Sequence, residues 1–166
     1  MLACRLNLRE FTKFFIPLLI GKYHPGTKIK SPIHLALDFR QSEILDNLIP
    51  LSKKNWAFWN KNFYSNPMVN AIWSLRLDLI KKIEPFTDLN SKIDISERSY
   101  LHVAAMTADF ELFKYIYQRV QDKYPKDFYG KTPYDLPLNK SFKWRICELH
   151  ANYVQAEKQV RRFYMV

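Results

Sequence analysis

Hydrophobic residues along the chain fall in short bursts at helical spacing, each opened by Ser, Asn or Thr and broken by a polar step before a second burst. The stretch "SYLHVAAMTADFELFKYIY" from Ser99 shows the form, and "SPIHLALDFRQSEILDNLI" from Ser31, "NPMVNAIWSLRLDLIKKIE" from Asn66 and "TPYDLPLNKSFKWRICELH" from Thr132 repeat it. Apolar positions spaced three and four apart predict helices, not strands, which would alternate. Each window therefore predicts a short helix, a tight turn and a second helix.

The window starts are 35, 33 and 33 residues apart, and a fixed period of that size is the mark of a stacked-repeat architecture. The second position holds Pro32, Pro67, Tyr100 and Pro133, mostly the residue whose fixed φ suits a first helical turn. The sixth holds Ala36, Ala71, Ala104 and Pro137, small where two helices approach. The thirteenth holds Glu43, Asp78, Glu111 and Trp144, mainly an acid at the start of the second helix, where the helix dipole favours it. The eighteenth holds Leu48, Ile83, Ile116 and Leu149, the expected buried stripe. "LACRLNLREFTKFFI" (Leu2 to Ile16) fits the same frame, so the chain is expected to start inside a repeat, as a truncated product or a piece of a longer array.

The set resembles the ankyrin repeat. "SPIHLAL", "SYLHVAA" and "GKTPYDL" match its T-P-L-H-x-A signature, and "KDFYGKTP" (Lys126 to Pro133) resembles its Asp-x-x-Gly-x-Thr-Pro opening turn. The resemblance implies an all-α fold, an ankyrin-repeat solenoid of about five helix-turn-helix repeats with short β-turn tips. Residues 1–150 form the array, with repeats near 1–26 (partial), 27–61, 62–94, 95–127 and 128–150, and 151–166 extend the last helix as a cap. The repeats are degenerate. The glycine that usually ends the first helix is replaced by Asn7, Arg40, Leu75, Ala108 and Ser141, so these turns are either strained or rebuilt. Pro137 is expected to distort or shorten the first helix of its repeat.

Composition narrows the function. Hydrophobic residues make up 48% and aromatics 16% of 166 residues, enough for a packed core and too many for a disordered chain. Cys4 and Cys147 stand far apart without metal-ligand spacing, and no cofactor or metal is expected. No Ser/His/Asp or Cys/His arrangement, phosphate loop or paired-carboxylate motif occurs, and three glycines leave little for a phosphate cradle; no catalytic residue is assigned and no small-molecule substrate is expected. The net charge of +10 is attributed to lysines that solvate the surface, since no run of five like charges occurs. "FFIPLLIG" (Phe14 to Gly21) is too short to span a bilayer and lacks a cleavage pattern. The expectation is an intracellular protein, cytoplasmic or nuclear, without membrane insertion.

His34 and His102 occupy the recurrent His position of the repeat, where the resemblance implies a structural hydrogen bond to neighbouring backbone. The resemblance also implies that another protein is bound at the tips and along the exposed side of the first helices. Phe39, Trp73 and Met106 are expected to form an apolar ladder there, between Asp38, Ser74 and Thr107, with Phe63, Arg98, Phe128, Tyr129 and Lys131 at the tips. Large apolar residues beside cations select an acidic or aromatic-containing segment. Trp56 and Trp59 are expected to pack under the longer loop of the second joint. Two alternatives stand beside the adaptor. One is a nucleic-acid-binding protein using the basic C-terminal helix, with Lys140, Lys143, Arg145, Lys158, Arg161 and Arg162 near Trp144 and Phe163. The other is the cytoplasmic array of a membrane receptor or channel.

Overall fold

The computed structural model describes residues 31–52, 56 and 66–164. Among them are seven α-helices and no strand: α1 Pro32–Asp38, α2 Ser42–Ser52, α3 Pro67–Trp73, α4 Leu77–Ile83, α5 Tyr100–Met106, α6 Phe110–Arg119 and α7 Lys140–Tyr164, with a 3-10 turn at Glu84–Phe86. Residues 1–30, with the partial first repeat, and Trp59 and Phe63 lie outside the described residues.

Three helix pairs follow the period. Their first helices are only seven residues long, about two turns, too short to persist alone. What holds them is the start and the burial. Pro32 and Pro67 sit in the first turn. The Asn66 carboxamide oxygen accepts the N–H groups of Met68 at 2.9 Å and Val69 at 3.2 Å. Ile33, Ala36, Leu37, Met68, Ala71, Ile72, Leu101 and Ala104 are fully buried. The alanines at the sixth window position thus stand where the helices meet, as their size predicts. Glu43, Asp78 and Glu111 occupy the first turns of α2, α4 and α6.

The turns that end the first helices are strained, not rebuilt. Arg40, Leu75 and Ala108 have φ of 56°, 59° and 57°, the left-handed region that costs an L-residue ~1–2 kcal/mol. At Arg40 the hydrogen bonds are those of a Schellman motif: Arg40 N–H to Leu37 C=O at 3.0 Å and Gln41 N–H to Ala36 C=O at 2.7 Å. The fourth window is different. Ser141 lies inside α7, and the expected first helix there is missing: Thr132 to Pro137 form a single turn closed by Asp135 N–H to Thr132 C=O at 3.0 Å. Pro137 supplies no N–H and blocks the continuation of a helix. The described residues therefore hold three complete pairs and a fourth window reduced to its long second helix.

Successive pairs pack on one another, α1 on α3, α3 on α5, α2 on α4 and α6 on α7. Polar ties cross each joint. Lys82 Nζ reaches Asp46 at 2.6 Å and the Ser42 carbonyl at 2.9 Å. Asn66 Nδ2 donates to Tyr100 Oη at 2.8 Å, and Asn90 Oδ1 accepts Gln121 N–H at 2.7 Å. Arg119 pairs with Glu84 at 3.0 Å while its guanidinium lies 3.5 Å from the centre of the Tyr115 ring.

Leu48, Ile83 and Ile116 are fully buried, whereas Leu149 is only partly so. With no first helix in its own window to pack on, α7 instead buries Phe142 and Ile146 against Phe113 of α6 and its neighbours. Trp56 is buried and stacks on Phe86 with ring centres 5.3 Å apart, so it belongs to the packing of its joint. The α7 helix has 25 residues against 10 in α6; past His150 it still meets the chain at Tyr153, whose ring packs edge-on against Tyr117 at 5.7 Å and lies 5.3 Å from Lys123 Nζ, while residues 151–161 are exposed apart from half-buried Val154.

Candidate partner-binding surface

The first helices end in a common register. Asp38, Trp73 and Met106 are the last helical residues of α1, α3 and α5, and Phe39, Ser74 and Thr107 are the caps next in sequence. This corrects the expected ladder: Phe39 stands one position later than Trp73 and Met106, and Asp38 is the residue equivalent to them. Phe39, Trp73 and Met106 are nonetheless all exposed, at 40%, 44% and 40%. Large apolar side chains left in water at the ends of adjacent helices distinguish this surface from the buried faces of the same helices.

The expected polar neighbours divide. Asp38 is exposed. Ser74 is buried and its hydroxyl donates to Ala71 C=O at 2.6 Å. The half-buried Thr107 hydroxyl donates to Ala104 C=O at 2.8 Å. Both cap their own helix ends, where carbonyls lack intrahelical partners, so neither is a free contact for a partner. The sequence pattern shows a polar residue there but not which way its hydroxyl is used.

Two equivalent tight turns form the tips. In one, Asp94 Oδ1 accepts the N–H groups of Ser96 at 3.0 Å and Arg98 at 3.3 Å; in the other, Asp127 Oδ1 accepts those of Tyr129 at 2.9 Å and Lys131 at 2.8 Å. Gly130 has φ 74° and Glu97, in the same place 33 residues earlier, has φ 55°. Phe128 N–H donates to Ser96 C=O at 2.9 Å, and Lys92 Nζ to Lys126 C=O at 2.9 Å, so the turns lie side by side. Phe128 and Tyr129 are 69% and 74% exposed. Ile95, 98% exposed, joins them; its place one period before Phe128 is the signal by which it can be found in the sequence. Lys131 is exposed. Arg98 is half-buried and committed to Asp94, with Nη2–Oδ2 at 2.5 Å, so it holds its turn closed and is not available as a partner-seeking cation.

His102 is fully buried. Its Nδ1 accepts Ser99 N–H at 3.1 Å, which leaves the ring proton on Nε2, placed 3.0 Å from the Lys131 carbonyl. The imidazole closes the start of α5 and ties it to the next tip. Burial is the main cause holding its pKa below the usual histidine value, since the charged ring is disfavoured there. Other residues close the equivalent starts: Asn66 caps α3, and Asp135 Oδ2 accepts Thr132 N–H at 2.9 Å and its hydroxyl at 2.6 Å. Those Thr132 hydrogen bonds hold the Asp135 pKa below the ordinary carboxylate value. The first window repeats the His102 arrangement, with His34 Nδ1 2.5 Å from Ser31 Oγ, so histidine serves two window starts and other side chains the other two. Among the described residues no group of three or more His, Cys, Asp or Glu is placed to hold a metal ion, and no helix is long and apolar enough to cross a membrane.

No protein-family model matches the chain, and no curated protein matches it.

Proposed function

We propose that this chain is an ankyrin-repeat interaction module, a non-enzymatic intracellular scaffold or adaptor that grips another protein along the ends of its first helices and at its turn tips. The 33- to 35-residue window, the three helix pairs packed in order and the His102 bridge between one pair and the next turn support the ankyrin reading. The observation that carries the binding surface is the exposure of Trp73 and Met106 in one register position on adjacent helices, with Phe39 beside it. A solenoid presents such a row on its concave side. The exposed Ile95, Phe128 and Tyr129 extend it to the tips, and the exposed Lys92 and Lys131 favour an acidic, aromatic-containing segment as the ligand.

Trp73 is the expected hot spot. Truncation of a central interface Trp commonly costs ≥ ~2 kcal/mol, about thirtyfold in affinity. A pull-down with parent and Trp73→Ala proteins of equal helicity tests this: the bound set is lost in the variant. An unchanged bound set refutes the surface.

A second reading has its own observation. Lys140, Lys143, Lys158 and Arg161 are exposed on α7, and Trp144 is 65% exposed among them, a cation-and-aromatic arrangement suited to single-stranded nucleic acid. Arg145 is otherwise engaged, its guanidinium 3.9 Å from the centre of the Phe110 ring. Salt-dependent retention on single-stranded DNA that is lost in Lys143→Glu/Lys158→Glu and kept in Trp73→Ala decides for this reading.

A further inference from the structure

The loop that follows the 3-10 turn and the loop that follows α6 are joined by two ties. Asn90 Oδ1 accepts Gln121 N–H at 2.7 Å, and Lys92 Nζ donates to the Lys126 carbonyl at 2.9 Å. Between the loops lies a cavity of about 170 Å³. Its apolar lining is Leu89, Val120 and Pro125, all buried. Lys92 lines it from the first loop and Asp122 from the second, and both are exposed.

This lining selects a ligand by charge. Among the described residues neither Lys92 nor Asp122 is in an ion pair, so the cavity holds a cation and an anion apart on its two sides. An anionic ligand would be drawn to Lys92 and repelled by Asp122, and a cationic ligand the reverse. A neutral apolar ligand would take both charges partly out of water without a partner. A zwitterion gives each charge its opposite. The unspent groups agree with that. Asn90 has its Oδ1 committed to Gln121, which leaves its amide N–H groups as donors on the same loop as Lys92. Asp122 Oδ1 accepts Tyr124 N–H at 2.8 Å, which leaves Oδ2 for an ammonium. The apolar lining calls for an aliphatic portion beside the two charges. The volume equals roughly five or six waters at their liquid share, well below the ~300–1,000 Å³ of pockets that take drug-sized ligands, so the ligand is small. The C-terminus of a peptide does not meet these demands: its last nitrogen is an uncharged amide, which leaves Asp122 without a counterpart.

We propose that this cavity binds one free α-amino acid with a small aliphatic side chain. Asp122 Oδ2 takes the α-ammonium, Lys92 Nζ and Asn90 Nδ2 take the α-carboxylate, and Leu89, Val120 and Pro125 cover the side chain. The site is separate from the ends of the first helices and does not rest on the adaptor reading. The bound ligand adds a third tie between the two loops. Exposed ion pairs contribute little, so binding is weak, with dissociation in the millimolar range.

Backbone amide NMR spectra of the full chain, titrated with L-valine into the tens of millimolar, test the proposal. The expected result is a set of saturable shifts centred on Asn90, Lys92, Gln121 and Asp122. N-acetyl-L-valine, without the ammonium, and L-valinamide, without the carboxylate, each bind at least about threefold more weakly. Lys92→Gln and Asp122→Asn each weaken L-valine binding by about three- to fivefold. Glutamine keeps a donor for the Lys126 carbonyl and asparagine keeps an acceptor for Tyr124 N–H, so the variants lose charge and not the hydrogen bonds of the loops; circular dichroism checks that helix content is kept. The absence of saturable shifts with both L-valine and L-leucine overturns the proposal. So does binding that is unchanged in both variants. N-acetyl-L-valine binding as well as L-valine also overturns it, and assigns the cavity to the C-terminus of a peptide instead.

Discussion

Ala108→Gly should make the protein more stable, against the usual effect of placing glycine in a folded chain. Ala108 is exposed and ends α5 with φ 57°. Its side chain is a single methyl group in solvent, so its removal forfeits no packing. Two terms then decide the sign. The left-handed conformation costs an L-residue ~1–2 kcal/mol, relieved in glycine. Glycine's greater freedom in the unfolded chain returns roughly 0.5–1 kcal/mol of that. The net is a stabilisation of about 0.5–1 kcal/mol, which for a chain of this size raises Tm by about 1–4 °C. Thermal denaturation followed at 222 nm measures it, beside Ala151→Gly as the control. Ala151 is equally exposed but lies inside α7, where the same substitution costs about 1 kcal/mol. If both variants lose stability by the same amount, the strain assigned to the turn does not exist.

Ala104→Arg should unfold or split the array, because Ala104 is fully buried where the helices meet; overpacking costs ~1–3 kcal/mol before the unpaired charge is added, and a parent-like Tm would refute the contact. The His102 pKa is depressed in the fold, so the unfolded chain takes up the proton first as pH falls: stability is full above about pH 6.5 and declines below it, down to the folded value. Subtracting His102→Gln denaturation curves from parent curves isolates this share, and a difference that does not shrink as pH falls below about 6.5 refutes the buried neutral ring.

The helix pairs were legible because their determinants are local and periodic: Pro32 and Pro67, the alanines of the sixth window position, and the acids of the thirteenth. The fate of the missing glycines was not, since a window without glycine permits either a strained turn or a rebuilt one. The structure takes both routes, straining Arg40, Leu75 and Ala108 and absorbing Ser141 into α7. The cause is the presence or absence of a first helix. Where one exists, its buried face fixes the turn; in the fourth window Pro137 prevents that helix, and nothing forces Ser141 to turn. Leu149 fails to bury for the same reason. At the surface, place in the 33- to 35-residue frame, not hydrophobicity, put Trp73, Met106, Phe128 and Tyr129 outside the core, and all four are exposed. Residue type alone misled at Ser74, Thr107 and Arg98, whose donors are spent on their own backbone or on a neighbouring carboxylate.

The starts of the windows show how one geometric task is met by different side chains. What each first helix needs at its N-terminus is an acceptor for backbone N–H groups, and in the last two windows the groups served belong to Ser99 and Thr132. His102 accepts from Ser99, Asn66 from Met68 and Val69, and Asp135 from Thr132. An amide, an imidazole and a carboxylate all meet that demand. Of these three acceptors, the imidazole also donates onward, from Nε2 to Lys131 C=O in the next turn. At the α3–α5 joint that bridging role passes to Asn66 Nδ2 and Tyr100 Oη. A residue can therefore change at the His position without loss of the repeat, provided that another donor crosses the same joint. Cohesion in this fold is kept at the level of hydrogen bonds between neighbours, which more than one side-chain type can supply.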